Sequence, residues 1–115
     1  MICSVRKESI TLMTEKRSAA GLTIMYPYLI EDLVLIPENM LLYMFNRIVV
    51  MPENQDQGEG SLLLRKICEI ADEKQLAIFL GINAYGRLTT SQLRMWYERY
   101  GWRHLQEKLM IRFPK

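Results

Sequence analysis

The chain has 115 residues, of which 50% are hydrophobic and 24% charged, with a formal net charge of +2. That length suits one domain spanning 1–115 and is too short for two, each with its own core. Apolar runs such as residues 33–36 and 48–51 are broken by charge or proline far short of a bilayer span, and Glu8 interrupts any signal-like start, so a cytoplasmic protein with no membrane contact is expected.

Residues 4–20 mix charge with Val5, Ile10, Leu12 and Met13 and read as a modest amphipathic helix ended near Gly21, although Ser9 and Thr11 weaken it. Residues 22–26, 33–36 and 41–50 are apolar, with β-branched and aromatic members, and are separated by Pro27, Glu31-Asp32 and Pro37-Glu38-Asn39. They read as three antiparallel strands. From 60 to 74, Leu63, Leu64, Ile67, Cys68 and Ala71 follow the i, i+3, i+4 period of a helix, with Arg65 and Glu69 four apart on its polar side. Residues 76–82 form a short continuous apolar run suited to a buried strand. Residues 91–100 read as a second helix stopped by Gly101, and residues 109–113 as a last strand. A crossover through the first of these two helices would leave the strands on either side of it parallel. Cys3 and Cys68 have neither metal-ligand nor redox spacing, and Cys68 falls on the apolar side of its helix as core filler.

The chemistry concentrates in residues 47–60, where the apolar strand Arg47-Ile48-Val49-Val50 runs through a polar loop to Gln57-Gly58-Glu59-Gly60 and into the strong helix. Gly58 and Gly60 let a ligand approach the backbone closely, and the first N–H groups of the helix point outward with the positive end of its dipole behind them. Such a junction favours an anion, a phosphate above all. Glu53, Asp56 and Glu59 nevertheless put three negative charges beside it, with no lysine or arginine inside the loop. Downstream the charge reverses: residues 86–115 carry seven Arg/Lys against two Glu, while residues 1–85 carry eight against eleven.

The run Val50-x-Pro52-x-x-Gln55-x-x-Gly58-x-Gly60 resembles the acetyl-coenzyme A signature of the GNAT N-acetyltransferases, and Trp96-Tyr97-Glu98-Arg99-Tyr100-Gly101-Trp102 resembles the end of that family's last conserved helix. The resemblance covers roughly residues 41–113. With Arg47-Ile48-Val49-Val50 and the closing Met110-x-Arg112-x-Pro114, it is similar in particular to short members encoded by bacteriophages. The first forty residues match only by strand count and are shorter than the usual substrate-binding part. The resemblance implies an α/β acyl-CoA N-acyltransferase fold, with a mixed central sheet flanked by helices.

It also implies roles. The strand at Ile48, Val49 and Val50 would splay from its neighbour and offer backbone groups to the pantetheine arm of acetyl-CoA, while an amide near Val50 polarises the acetyl carbonyl. Gln55 stands in the signature. The amides of Gln57, Gly58, Glu59, Gly60 and Ser61 would hold the pyrophosphate, and Arg65 or Lys66 would reach an outlying phosphate. Tyr97 occupies the general acid's position, its phenol with an ordinary pKa of about 10 facing a thiol of about 8.5.

Relatives often carry a glutamate on the strand before the cradle, whereas residues 41–51 contain no carboxylate. Glu31, Asp32 and Glu38 in neighbouring loops are the remaining candidate bases. Thr90-Ser91 stand where relatives often have an asparagine. His104 lacks the partners that a metal or a triad requires, and the methionines read as core filler, with Met25 and Met44 as candidates for a soft groove. The expected function is acetyl transfer to a primary amine of a small molecule or protein. The alternative is a non-catalytic GNAT-fold protein that acts by protein–protein binding. Nucleic-acid contact through Arg87, Arg94, Arg99, Arg103 and Lys108 ranks below both, since no docking motif accompanies them. Pairing of two copies as a homodimer is compatible with the open sheet.

Overall fold

In the computed structural model, which describes residues 1–55, 57–83 and 88–115, the first quarter of the chain is three strands: β1 (Ile2–Val5), β2 (Ser9–Met13) and β3 (Ala19–Met25). The helix expected over residues 4–20 is not formed. Ile10, Leu12 and Thr14 are buried while Thr11, Met13 and Glu15 are exposed, an alternation of period two that belongs to a half-buried strand. β1 pairs with β2 and β2 with β3, both antiparallel.

Residues 33–36 are not a strand either. A short 3-10 turn, Pro27–Ile30, follows β3, and the chain then crosses one face of the sheet. There Leu33, Val34 and Ile36 pack over Ile30, Leu42, Ala77, Phe79 and Ile111. No ladder position is open to this segment, because β3 pairs directly with β4 (Leu41–Val49).

The remaining expected elements are present. Helix α1 (Glu59–Lys74) leads to β5 (Leu76–Gly81), helix α2 (Thr90–Arg99) follows, and β7 (Leu109–Arg112) closes the sheet after β6 (Arg103–Gln106), which the sequence reading omitted. The seven strands lie in the order β1-β2-β3-β4-β5-β7-β6. Every neighbouring pair is antiparallel except β4 and β5, which the α1 crossover makes parallel.

Both helices pack on one face of the sheet. Leu63, Leu64, Ile67 and Ala71 of α1 are at most 1% exposed and meet Tyr43, Phe45, Ile78, Leu80 and Met110. Each of the leucine and isoleucine side chains contributes about 2 kcal/mol of transfer free energy. Helix α2 lays Leu93, Trp96, Tyr97 and Tyr100 against the same core. Its start is sealed by a capping box, with the Thr89 hydroxyl accepting from the Gln92 amide and the Gln92 side chain accepting from the Thr89 amide.

An ion pair between a buried arginine and a half-buried aspartate ties the end of the chain to α1. Arg112 is 2% exposed and donates from both guanidinium ends to Asp72 at 2.9 and 3.0 Å, with its Nε donating to the Tyr100 carbonyl at 2.7 Å. The Arg112 guanidinium holds the Asp72 carboxyl below the usual carboxylate range. The backbone amide of Lys115 also donates to Asp72. Part of the basic C-terminal quarter is therefore structural. Cys68 sits in the core as expected, its thiol pushed up to about 11 by burial, which makes it a poor nucleophile at neutral pH. Among the described residues, no helix is long and apolar enough to cross a membrane.

Candidate functional site

Two irregularities in β4 open the sheet. Ala20 pairs with Ile48 but Leu22 pairs with Phe45, so the single residue Gly21 faces both Asn46 and Arg47. This is a β-bulge, which reverses the facing of every later residue on the strand. Ile48 and Val50 thereby turn towards the helices, and Val49 turns to the opposite face of the sheet. Gly21 suits the bulge because a side chain there would begin 3.2 Å from Asn46 Nδ2.

The second irregularity is a splay. β4 and β5 pair only from Leu41 with Leu76 to Met44 with Phe79. Beyond that point β4 continues along β3 to Val49, and β5 continues along β7 to Gly81. Between the diverging strands lies a cleft of about 720 Å³, lined by Phe45, Ile48, Val50, Leu80 and Gly81, by the start of α1, and by one side of α2. Clefts of this size accommodate cofactors and small substrates.

The cradle closes one end. Gly58 adopts φ +78° at the N-cap of α1, a left-handed backbone that favours glycine, and a Cβ built there would meet nothing within 4 Å. It brings no side chain to cap the helix, so the first amides of α1 face the cleft rim without one. Gly60 is packed under Trp96, whose ring lies 3.7 Å from where a Cβ would stand.

The structure brings most of the expected site residues together. Ile48, Val50, Gln55, Gly58, Glu59, Gly60, Ser61 and Tyr97 all line the cleft. Three others do not. Val49 pairs with Ala19 and lines a shallow apolar hollow on the other face, because the bulge turned it there. The side chain of Gln57 lies outside, donating to the Glu53 carbonyl. Arg65 is exposed one turn along α1, its Nε donating to the Ser61 carbonyl at 3.4 Å.

Tyr97 sits in an aromatic cluster, 5.2 Å from Trp96, 5.5 Å from Trp102 and 6.2 Å from Phe45 between ring centroids. It is half-buried and faces the splayed strands from α2. Packing and access to the cleft are therefore both present at this one residue.

The acidic cradle is rearranged relative to its sequence. Glu59 is 8% exposed and accepts a 2.6 Å hydrogen bond from the Thr14 hydroxyl, so its carboxylate is engaged by the turn between β2 and β3. Glu53 is exposed and does not line the cleft, and Asp56 lies outside the described residues. Among the described residues, the cations that line it are Arg47, at the bulge, and Arg99, at the end of α2. Neither was assigned to the site from sequence. Gly21 opposite Asn46-Arg47 was the available signal for the first. The register of α2, with Arg99 at the end of the helix that carries Tyr97, was the signal for the second.

Glu31, Asp32 and Glu38, the candidate bases, are misplaced for the role. All three precede β4 in the chain, and none lines the cleft. The other described candidates do not line the cleft. His104 Nε2 shares a 2.7 Å hydrogen bond with the Glu107 carbonyl. Met25 packs in the second core cluster, and Met44 is exposed; neither lines the cleft. Arg94 pairs with Glu98 along α2, Arg103 lies over Phe113, and Arg87 is outside the described residues.

No family model matches the chain, and no curated protein is significantly similar to it in sequence. Solved structures are similar in fold. Anti-CRISPR protein AcrVA5 superposes with a TM-score of 0.61 over 90% of this chain and 97% of its own, at 16% identity. NAA60 of Arabidopsis thaliana, solved in complex with a bisubstrate analogue, superposes with a TM-score of 0.67 over 94% of this chain and 76% of its own, at 12% identity. At such identities the likeness is one of fold. The mixed seven-stranded sheet, its splay between the parallel pair and the helix beginning at the splay give this chain a GNAT-like acyl-CoA N-acyltransferase fold.

Proposed function

We propose that this chain is a GNAT-type N-acetyltransferase that carries an acetyl group from acetyl-CoA to a primary amine of a small molecule or protein in the cytoplasm. The observation that carries the reading is the convergence of the β4–β5 splay, the glycine-lined start of α1 and Tyr97 on one cleft. Backbone groups of Ile48 and Val50, on the edge of β4 that β5 has left, are suited to pair with the pantetheine arm. The amides from Gly58 to Ser61 are suited to the pyrophosphate, where the helix dipole adds to them. Arg99 and Arg47 supply the cations that the loop lacks.

In the reaction the amine nitrogen attacks the thioester carbonyl carbon, its oxygen polarised by an amide of β4 near Val50. The carbon–sulfur bond then breaks, and the Tyr97 phenol protonates the departing thiolate. Water accepts the proton released by the amine, since among the described residues the only carboxylate lining the cleft, Glu59, is bonded to Thr14. Holding the two reactants together is worth on the order of 7 kcal/mol.

The test is thiol release from acetyl-CoA in the presence of a panel of primary amines. Tyr97→Phe is expected to lower turnover by about a hundredfold with little change in acetyl-CoA affinity. Equal loss of both would make Tyr97 a packing residue, and absence of amine-dependent release across the panel would overturn the catalytic reading.

A further inference from the structure

The turn between β2 and β3 is bound to the cradle by three side-chain contacts. The Thr14 hydroxyl donates to Glu59, Asn54 Nδ2 donates to the Lys16 carbonyl at 3.2 Å, and Lys16 Nζ donates to the Gln57 side-chain oxygen. The turn is itself held in shape. The Ser18 amide donates to Thr14 Oγ1 and the Thr14 amide to the Ser18 carbonyl, while Arg17 takes the left-handed φ of +63° that reverses the chain. A lysine 41 residues away in sequence is thereby stationed next to the residue that precedes Gly58.

We propose that Lys16 is a phosphate-binding residue at the rim of the cleft, its ammonium moving inward from the Gln57 side chain, which lies outside the lining, to the diphosphate of the bound acyl-CoA. This rests on the reading of the cleft given above and adds a residue that no part of the cradle sequence contains. The Gln57 amide oxygen gives the ammonium a hydrogen bond but no counter-charge, whereas a phosphate oxygen supplies both. The Lys16 side chain is exposed, and its four-carbon stem lets the head re-aim while Asn54 keeps the backbone in place. The position also compensates the loop for Glu53 and Glu59, since Thr14 of the same turn engages Glu59.

The experiment is calorimetric titration of the full chain with acetyl-CoA and with S-acetylpantetheine, which lacks the phosphates, each at low and high salt. Wild type, Lys16→Met and Lys16→Arg are compared, since methionine keeps the stem and arginine keeps the charge. Lys16→Met is expected to weaken acetyl-CoA binding about tenfold, the size of one charge-assisted hydrogen bond, to flatten its salt dependence and to leave S-acetylpantetheine unchanged. Lys16→Arg is expected to restore both affinity and salt dependence. Unchanged acetyl-CoA affinity in Lys16→Met, or an equal loss for both ligands, would reduce Lys16 to a strap for the turn and overturn the proposal. A wild-type chain that binds neither ligand would overturn it together with the reading of the cleft, a result distinct from either.

Discussion

At the scale of single residues, position decides what charge and flexibility accomplish. Gly58 carries the cradle because it combines a left-handed backbone with open space in front of it. Aspartate is among the few residues that tolerate such a φ, so Gly58→Asp should fold with a melting temperature within a few degrees of wild type. The same change puts a carboxylate where the diphosphate would lie. We expect it to reduce acetyl-CoA affinity below detection in calorimetry, with circular dichroism confirming the fold; retained affinity would place the phosphates elsewhere. Glu59 makes the converse point. From its number in the loop it counts as repulsion, yet Thr14 engages its carboxylate in a buried hydrogen bond, a partner 45 residues away that no local pattern reveals.

At the scale of elements, the parts that could be read were those with a strong local period. The apolar stripe of α1 and the continuous run of β5 stood out because burial on one face, or on both, dictates composition directly. The first quarter failed for a physical reason. β1 and β2 are short strands at a sheet edge, and the charges that imitate the polar side of a helix, Arg6, Lys7, Glu8, Glu15, Lys16 and Arg17, stand in the turns beside them, so only the alternation of Ile10, Leu12 and Thr14 separates the two. Residues 33–36 have strand composition but serve as a cover over Phe79 and Ile111. The bulge in β4 was hidden as well, since it depends on register against β3, and it is what sent Val49 away from the site.

The junction of α1 with the C-terminal strand provides a stability test independent of function. Asp72→Asn would leave the buried Arg112 without its counter-charge and should cost about 3 kcal/mol, a fall of roughly 10 °C in melting temperature. The pH dependence has a definite sign. Because the folded-state value of Asp72 lies below its ordinary 3.8, the pair contributes fully above that value, and its contribution disappears as pH falls through the lower folded value. Wild type should therefore lose stability on acidification below about pH 4, and Asp72→Asn should lose less. Identical acid profiles would show that the ion pair adds nothing.

At the scale of the whole molecule, both helices lie on one face of a sheet that diverges at its centre. The glycine cradle of the candidate site was legible because glycine spacing, a strand before it and a helix after it are all local. The cations around it were not. Arg47, Arg99 and the Lys16 turn reach the region from three separate elements that the sequence places far apart. The fold accounts for a cleft lined by the glycine-bearing start of α1 and by a tyrosine on α2. The β4 residues that line the cleft, Phe45, Asn46, Arg47 and Ile48, include no carboxylate.

The central claim is that this cleft binds acetyl-CoA. Its most direct measurement is calorimetric titration of the purified chain with acetyl-CoA, alongside Gly58→Asp. The account predicts saturable one-to-one binding by the wild type that is lost in the variant. No heat and no thermal shift in the wild type would contradict it and turn attention to protein partners of a non-catalytic fold.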